Sequence, residues 1–173
     1  MLGVRSLSGS FTLPPDAVYY EVVVLDYEDG KLIKWHSHGG RGPIKPGEDR
    51  QARPQLLWSN VGGKMMVCVS EDGSGGPGED SFWSHLDGGS TSIPNSADAT
   101  PDGWAVLGFA GSQAPRDPKR KGSGACSNLR YQLEVSKYVG ALAVCTFKSE
   151  DEWRRGLRES SKVAPEPPKV GGA

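Results

Sequence analysis

The fold is decided by residues 18–36, which read VYYEVVVLDYEDGKLIKWH. The first half of this stretch is rich in β-branched and aromatic residues, a composition typical of a strand. Asp29-Gly30 interrupts the run, and this dipeptide favours a tight hairpin turn because Gly readily takes the positive φ that such a turn requires. The stretch therefore predicts two antiparallel strands, at residues 18–27 and 31–36.

Short runs of strand-forming residues recur along the rest of the chain, between turns rich in Gly and Pro. Gly62-Gly63 joins two of these runs and predicts a second hairpin. Another run, residues 129–135, alternates apolar and polar side chains with a period of two, which indicates a strand with one buried face. The further predicted strands lie near Ile44 and at residues 55–60, 64–70, 82–86, 104–110, 129–135 and 138–147.

A helix is predicted at one place, close to the end of the chain. Ser149 precedes Glu152 by three residues, which is the spacing of a capping box, and Trp153 and Leu157 form one apolar stripe. We predict one all-β domain over residues 1–162, an antiparallel β-sandwich or jelly roll of about seven or eight strands with one short C-terminal helix. A Pro/Gly-rich tail over residues 163–173 follows it.

Charge and cysteine content bear on the class of protein and its compartment. The 173 residues include 20 Lys+Arg and 21 Asp+Glu, and this balance provides no general attraction for nucleic acid or for an anionic membrane. Three cysteines, Cys68, Cys126 and Cys145, show no metal-finger spacing, and the N-terminal residues do not resemble a secretory signal. We expect an intracellular protein, cytoplasmic or part of an assembled particle, with reduced cysteines.

Two histidines are candidates for metal binding. His36 and His38 are two residues apart in a predicted strand, and side chains at that spacing share one face. Both imidazoles could bind one ion, and the third histidine of the chain, His85, could complete the set. The alternative is that the pair marks a solvated strand end.

The spacing Gly30-x5-His36-x-His38 resembles the start of the cupin metal motif. That resemblance implies a jelly-roll enzyme that uses a divalent metal ion. A cupin would carry a Glu after three or four further residues, where this chain has Gly42 and Pro43. The resemblance therefore covers nine residues and ends there.

A basic cluster lies in a predicted loop over residues 112–128. Its members are Arg116, Lys119, Arg120 and Lys121. We interpret the cluster as a partner- or anion-binding loop, and the alternative is a solvated connecting loop. Nucleic acid is the less favoured partner, because aromatic residues that could stack on bases are not interleaved with the basic ones.

Four tryptophans, Trp35, Trp58, Trp83 and Trp104, lie in or beside predicted strands. Large aromatic side chains usually fill cores. If these rings are exposed instead, they would form an aromatic surface for glycan or lipid headgroups.

Local signatures of nucleophilic catalysis, such as Gly-x-Ser-x-Gly, do not occur in the sequence. The first hypothesis is therefore a non-enzymatic binding or assembly module without a cofactor, which self-assembles or binds a protein partner. By analogy of fold alone it is coat- or decoration-protein-like. The alternatives are a membrane- or glycan-binding sandwich similar to cytolysins or lectins, and a cupin-like metal-dependent enzyme.

Overall fold

The computed structural model describes residues 3–71, 75–92, 104–119 and 128–160, with side chains described as far as Arg155. A 3₁₀ helix, Ser81–His85, lies between β8 and β9. No helix in these ranges is both long and apolar enough to cross a membrane. The strands and α-helices are β1 Arg5–Ser8, β2 Phe11–Thr12, β3 Tyr19–Glu28, β4 Lys31–Arg41, β5 Gln51–Ala52, β6 Gln55–Val61, β7 Lys64–Ser70, β8 Pro77–Glu79, β9 Ser90–Ser92, β10 Ala105–Gly111, α1 Leu129–Val135, β11 Tyr138–Phe147 and α2 Glu150–Ser160.

Two antiparallel sheets form most of the structure. The central sheet has five strands in the order β4-β3-β11-β10-β9, and the second sheet has four in the order β1-β6-β7-β8. Strands β2 and β5 pair as a separate two-stranded sheet. The predicted all-β, sandwich-like fold is confirmed, whereas the predicted tail over residues 163–173 lies outside the described residues.

The first predicted hairpin forms one side of the central sheet, with β4 at the edge and β3 next to it. Asp29 and Gly30 both have positive φ, 49° and 75°, as a two-residue turn of this kind requires. On its other side β3 pairs with β11 through ten consecutive residue pairs, from Tyr19↔Phe147 to Glu28↔Tyr138. The second hairpin, β6–β7 around Gly62-Gly63, also forms as predicted.

Both faces of the central sheet are buried at β3, β10 and β11. One face packs against the second sheet, and the opposite face is covered by α1, by the start of α2 and by Trp104. Because neither face of β3 or β11 is wet, these strands are apolar at almost every position rather than at every second one. The first core includes Val22, Val24, Leu142 and Val144 with Leu7, Leu56, Val67 and Val69, and the second includes Val23, Leu25, Ala141 and Ala143 with Leu129 and Leu133.

The prediction of a strand at residues 129–135 is wrong, because these residues form α1. The side chain of Asn128 accepts a hydrogen bond from the backbone N–H of Tyr131 at 3.2 Å, as a helix N-cap does. Gln132 is buried and Tyr131 is 51% exposed, which reverses the alternation expected of a strand. Leu129, Gln132 and Leu133 instead share one helical face.

The strand predicted at residues 82–86 is also wrong, because this segment is the 3₁₀ helix. Asp80 caps it by accepting the Phe82 backbone N–H at 3.1 Å. Trp83 and Leu86, three residues apart, both enter the first core. Near Ile44 the structure shows a buried loop residue rather than a strand, and its N–H donates to the Val18 carbonyl at 2.8 Å.

The C-terminal helix begins where the capping box predicts. Ser149 Oγ accepts the Glu152 N–H at 3.2 Å. Trp153 stacks on Tyr19 with ring centroids 4.7 Å apart, and its indole N–H donates to the Glu21 carboxylate. These contacts dock α2 on the central sheet. The side chain of Leu157 lies outside the described residues.

Gly140 on β11 allows the 3₁₀ helix to approach the central sheet closely. A Cβ atom at this position would lie 2.8 Å from Trp83 Cζ2 and 2.6 Å from Leu86 Cδ1. Gly140 pairs with Asp26 on β3, so the indole of Trp83 lies over the strand pair next to Asp26. This arrangement encloses Asp26.

Substitution of Asn128 by Ala is expected to lower the free energy of unfolding by about 1 kcal/mol, because it removes the side-chain acceptor at the start of α1. Urea denaturation measures the loss. Asn128→Asp retains the acceptor and is the control. An Ala variant as stable as the wild type would contradict the capping role.

Candidate metal centre

Polar side chains meet between the two sheets, where β3 and β4 face the start of the 3₁₀ helix. One potential ligand atom from each of Asp26, His36 and Asp80 lies within 4.8 Å of the other two. Asp26 belongs to β3 and His36 to β4. Asp80 is the residue that joins β8 to the 3₁₀ helix. Carboxylate oxygen and imidazole nitrogen are common ligands of divalent metal ions. We call these three residues the Asp26 cluster.

Strand register explains why Asp26 and His36 are neighbours. Val24 pairs with His36, and Asp26 pairs with Lys34. Cross-strand partners share a face, and so do residues two apart on one strand. Asp26, His36 and Lys34 therefore lie on the face of the central sheet that packs against the second sheet.

Asp80 comes to the cluster from the second sheet. β8 pairs with β7, and the Asp80 backbone N–H donates to the Met65 carbonyl at 2.9 Å. One side-chain oxygen, Oδ1, accepts the Phe82 N–H. The other, Oδ2, accepts a hydrogen bond from Lys34 Nζ at 2.9 Å.

Several buried polar atoms of the cluster lack the hydrogen bonds that such atoms normally make. Asp26 is 0% exposed. Within the described part of the chain, neither of its carboxylate oxygens has a hydrogen-bond partner, and the same holds for His36 Nδ1 and Trp83 Nε1. Most buried polar atoms in proteins are hydrogen-bonded. Four buried polar atoms without hydrogen-bond partners so close together are therefore unusual.

The environment changes the ionisation of Asp26. Burial and, to a smaller extent, the nearby Asp80 carboxylate raise its pKa from 3.8 to about 7, although Lys34 acts to lower it. The indole N–H of Trp83 also lowers this pKa, although the pair lies outside ordinary hydrogen-bond geometry. A neutral carboxyl and an ionised one are thus both accessible near neutral pH.

His36 is shifted in the other direction. Burial and, to a smaller extent, the like charges of His38 and Lys34 lower its pKa to about 4, although Asp80 acts to raise it. The imidazole is therefore neutral at pH 7. A neutral imidazole has the free lone pair that metal coordination requires.

Lys34 and His38 border the cluster. Lys34 Nζ lies 2.9 Å from Asp80 Oδ2. The ring centroid of His38 is 4.6 Å from that of His36, and His38 also lines a cavity of about 70 Å³ together with Glu71. Burial lowers the pKa of His38 as well.

The three histidines predicted as ligands do not come together. His36 and His38 share one face as expected, but His85 stacks on Tyr138 with centroids 4.4 Å apart. Among the described residues, His85 belongs to no group of three potential ligands, because its 3₁₀ helix directs Trp83 rather than His85 toward the cluster. Asp26 and Asp80 were not predicted.

The four tryptophans fill cores, and the alternative of an exposed aromatic surface is not realised. Trp35, Trp58, Trp83 and Trp104 are all buried, with at most 8% exposure. Trp58 packs edge-on against Trp83 at 5.1 Å in the first core, and Trp35 packs against Trp104 at 5.2 Å in the second. These rings fill the cores on both sides of the central sheet, so the glycan- or lipid-binding hypothesis loses the residues on which it depended.

The basic loop is only partly described. Arg116 and Lys119 are exposed, while Arg120 and Lys121 lie outside the described residues. Arg116 donates to the Leu133 carbonyl at 3.2 Å, near the end of α1, and its backbone N–H donates to the Val135 carbonyl. Arg116 therefore anchors the loop to α1 instead of projecting freely. An acidic partner for this loop stays a prediction.

Comparison with known proteins identifies no relative. The chain matches no protein-family model, no curated protein and no solved structure.

Proposed function

We propose that this protein is a binding module that holds one divalent cation at the Asp26 cluster. The observation that carries this proposal is the Asp26 carboxylate, which is fully buried and without a hydrogen-bond partner in the described part of the chain. Burying a carboxylate without compensation is costly. A cation between Asp26, Asp80 and the neutral His36 imidazole would compensate that charge and use the orphaned atoms as ligands.

The ligand set favours a particular class of metal. Ca²⁺ and Mg²⁺ prefer oxygen ligands, whereas imidazole suits transition metals. Two carboxylates and one imidazole therefore favour Zn²⁺, Mn²⁺ or Fe²⁺. Water would complete the coordination of the ion.

The location of the cluster supports a structural role for the ion. The cation would connect β3 and β4 of the central sheet to the segment between β8 and the 3₁₀ helix. The 3₁₀ helix that follows Asp80 carries Trp83, which packs in the first core. A ligand that binds only the folded state stabilises it by mass action, so the ion would hold the two sheets together.

Metal content and thermal stability test this proposal. Protein purified without an affinity tag is expected to contain, or to take up after stripping, one equivalent of Zn²⁺, Mn²⁺ or Fe²⁺ by elemental analysis. At a metal concentration of about 100 times Kd, the gain of about 2.7 kcal/mol should raise Tm by roughly 5–10 °C.

Matched variants separate the cluster from general effects of charge. Asp26→Asn and His36→Gln should abolish both the uptake and the rise in Tm. Glu79→Gln and His85→Gln should retain both, because these residues lie outside the cluster. If the wild type takes up only traces of every metal tested and its Tm does not change, the cluster holds a proton instead of a metal ion and the proposal is wrong.

The remaining hypotheses from the sequence keep the status of predictions. A coat- or decoration-like assembly role is supported only by the sandwich-like architecture, which many unrelated proteins share. A cupin-like enzyme would need its metal at His36, His38 and His85, and only His36 belongs to the Asp26 cluster.

A further inference from the structure

We infer that Lys34 is a built-in competitor of the metal ion, whose ammonium group holds the position at Asp80 that a divalent cation must take. This inference rests on the proposed function and specifies how metal occupancy is controlled. Lys34 pairs with Asp26 across the β3–β4 ladder and shares its face. Its Nζ contacts Asp80 Oδ2 at 2.9 Å.

The two oxygens of Asp80 have different roles, and this makes the competition direct. Oδ1 caps the 3₁₀ helix through the Phe82 N–H. Oδ2 accepts no such backbone hydrogen bond among the described residues, and Lys34 is bound to it. A metal ion at Oδ2 would lie within a few ångströms of a positive ammonium group in a partly buried setting, where like charges repel strongly. Lys34 must therefore leave when the metal binds.

Lys34 is able to leave because its side chain is only partly enclosed. Its exposure is 53%, against 12% for Asp80. A lysine side chain is flexible and its ammonium is strongly hydrated. Because the Lys34 side chain is already half exposed, its ammonium can rotate fully into solvent at little cost. Asp80 and His36 are themselves partly accessible, so a cation can reach them as Lys34 withdraws.

This exchange gives the site two compensated states. In the metal-free state the Lys34 ammonium neutralises Asp80. In the loaded state the divalent ion takes the place of that ammonium. Such a site loads and releases its metal, with an affinity that Lys34 lowers.

The test compares metal affinities of purified, stripped proteins by titration against a chelator with Zn²⁺ and with Mn²⁺. Lys34→Gln removes the competing charge and is expected to lower Kd about tenfold or more. Lys34→Arg keeps the charge and should stay close to the wild type. Lys34→Met is a second neutral variant with a similar stem, in case the Gln variant disturbs folding.

Lys64 provides a matched control. Its ammonium also contacts an acid at 2.9 Å, Glu79, which precedes Asp80 in the chain, and both partners are more than half exposed. Lys64→Gln removes the same charge from a neighbouring but solvated pair, so its Kd should change by less than about threefold.

The outcomes distinguish this inference from the proposed function. Tighter binding by both neutral Lys34 variants, and not by Lys64→Gln, supports the inference. If the wild type binds one equivalent and the neutral Lys34 variants bind no more tightly than Lys64→Gln, the metal site stands and the role of Lys34 is wrong. If no protein in the series binds metal, the proposed function is wrong and the inference is overturned with it.

Discussion

Replacing Asp26 by Asn is expected to reduce the loss of stability that the metal-free protein suffers as pH rises. The unfolded chain ionises this carboxyl group near its ordinary pKa of 3.8, whereas the folded state keeps the proton until about pH 7. A carboxyl pKa that is raised by folding stabilises the folded state at low pH. That contribution is lost between about pH 4 and pH 7.

The size of the effect follows from the displacement of the pKa. Each unit of pKa shift corresponds to about 1.4 kcal/mol. Between pH 4 and pH 8 the unfolding free energy of Asp26→Asn should therefore rise relative to that of the wild type by up to about 4 kcal/mol. His36 acts in the opposite sense, because its pKa is lowered by folding and its contribution is lost as pH falls toward about 4. Both proteins share that contribution.

Urea denaturation with a chelator present, at about pH 4, 6 and 8, measures this change. Glu79→Gln, which removes an exposed acid, should give a pH profile parallel to that of the wild type. Parallel pH profiles for Asp26→Asn and the wild type would show that folding does not raise the pKa of Asp26. The conclusion that burial disfavours its ionised form would then be wrong.

Replacing Trp83 by Ala is expected to lower the free energy of unfolding by about 3–5 kcal/mol. Trp83 is 0% exposed and fills the space between Trp58 and the backbone of Gly140. Its removal leaves a cavity between the two sheets and opens a route for water to Asp26. A loss of this size is a large fraction of the roughly 5–15 kcal/mol that stabilises an ordinary domain.

Chemical denaturation measures the loss, and Trp83→Phe controls for ring volume. The Phe variant should lose clearly less, because it keeps most of the apolar contact. If Trp83→Ala unfolds outright, Trp83→Phe still provides a measurable difference. An Ala variant within about 0.5 kcal/mol of the wild type would place Trp83 among surface residues and contradict its packing between the sheets.

The long apolar strands could be predicted because their residues satisfy strand propensity and burial together. The residues of β3 and β11 have high strand propensity and are also almost all apolar, so both criteria predict strands. Asp29-Gly30 fixes the turn that follows β3. Residues 129–135 could not be assigned by periodicity, because the spacing of Leu129 and Leu133 fits a strand and a helix equally well. The deciding feature is the cap at Asn128, which a pattern of hydrophobicity does not contain.

The candidate site was predictable only in part. The spacing of His36 and His38 places them on one face, and the structure shows this. Asp26 lies two residues after Val24 and four after Val22, so the sequence places an acid on an apolar strand face. This pattern could have indicated a buried carboxylate. Asp80 reaches the cluster through pairing of β7 with β8 and of β3 with β4, which a local pattern cannot reveal.

The pairing of β3 with β11 has a consequence for the order in which the protein can be made. β4 follows β3 at once, so one edge of β3 is satisfied as soon as the hairpin leaves the ribosome. The partner of the other edge, residues 138–147, is synthesised more than a hundred residues later. During that interval an apolar strand presents an open backbone edge to other chains. The nascent protein is thus most exposed to wrong pairing, and most in need of chaperones, until β11 has been translated.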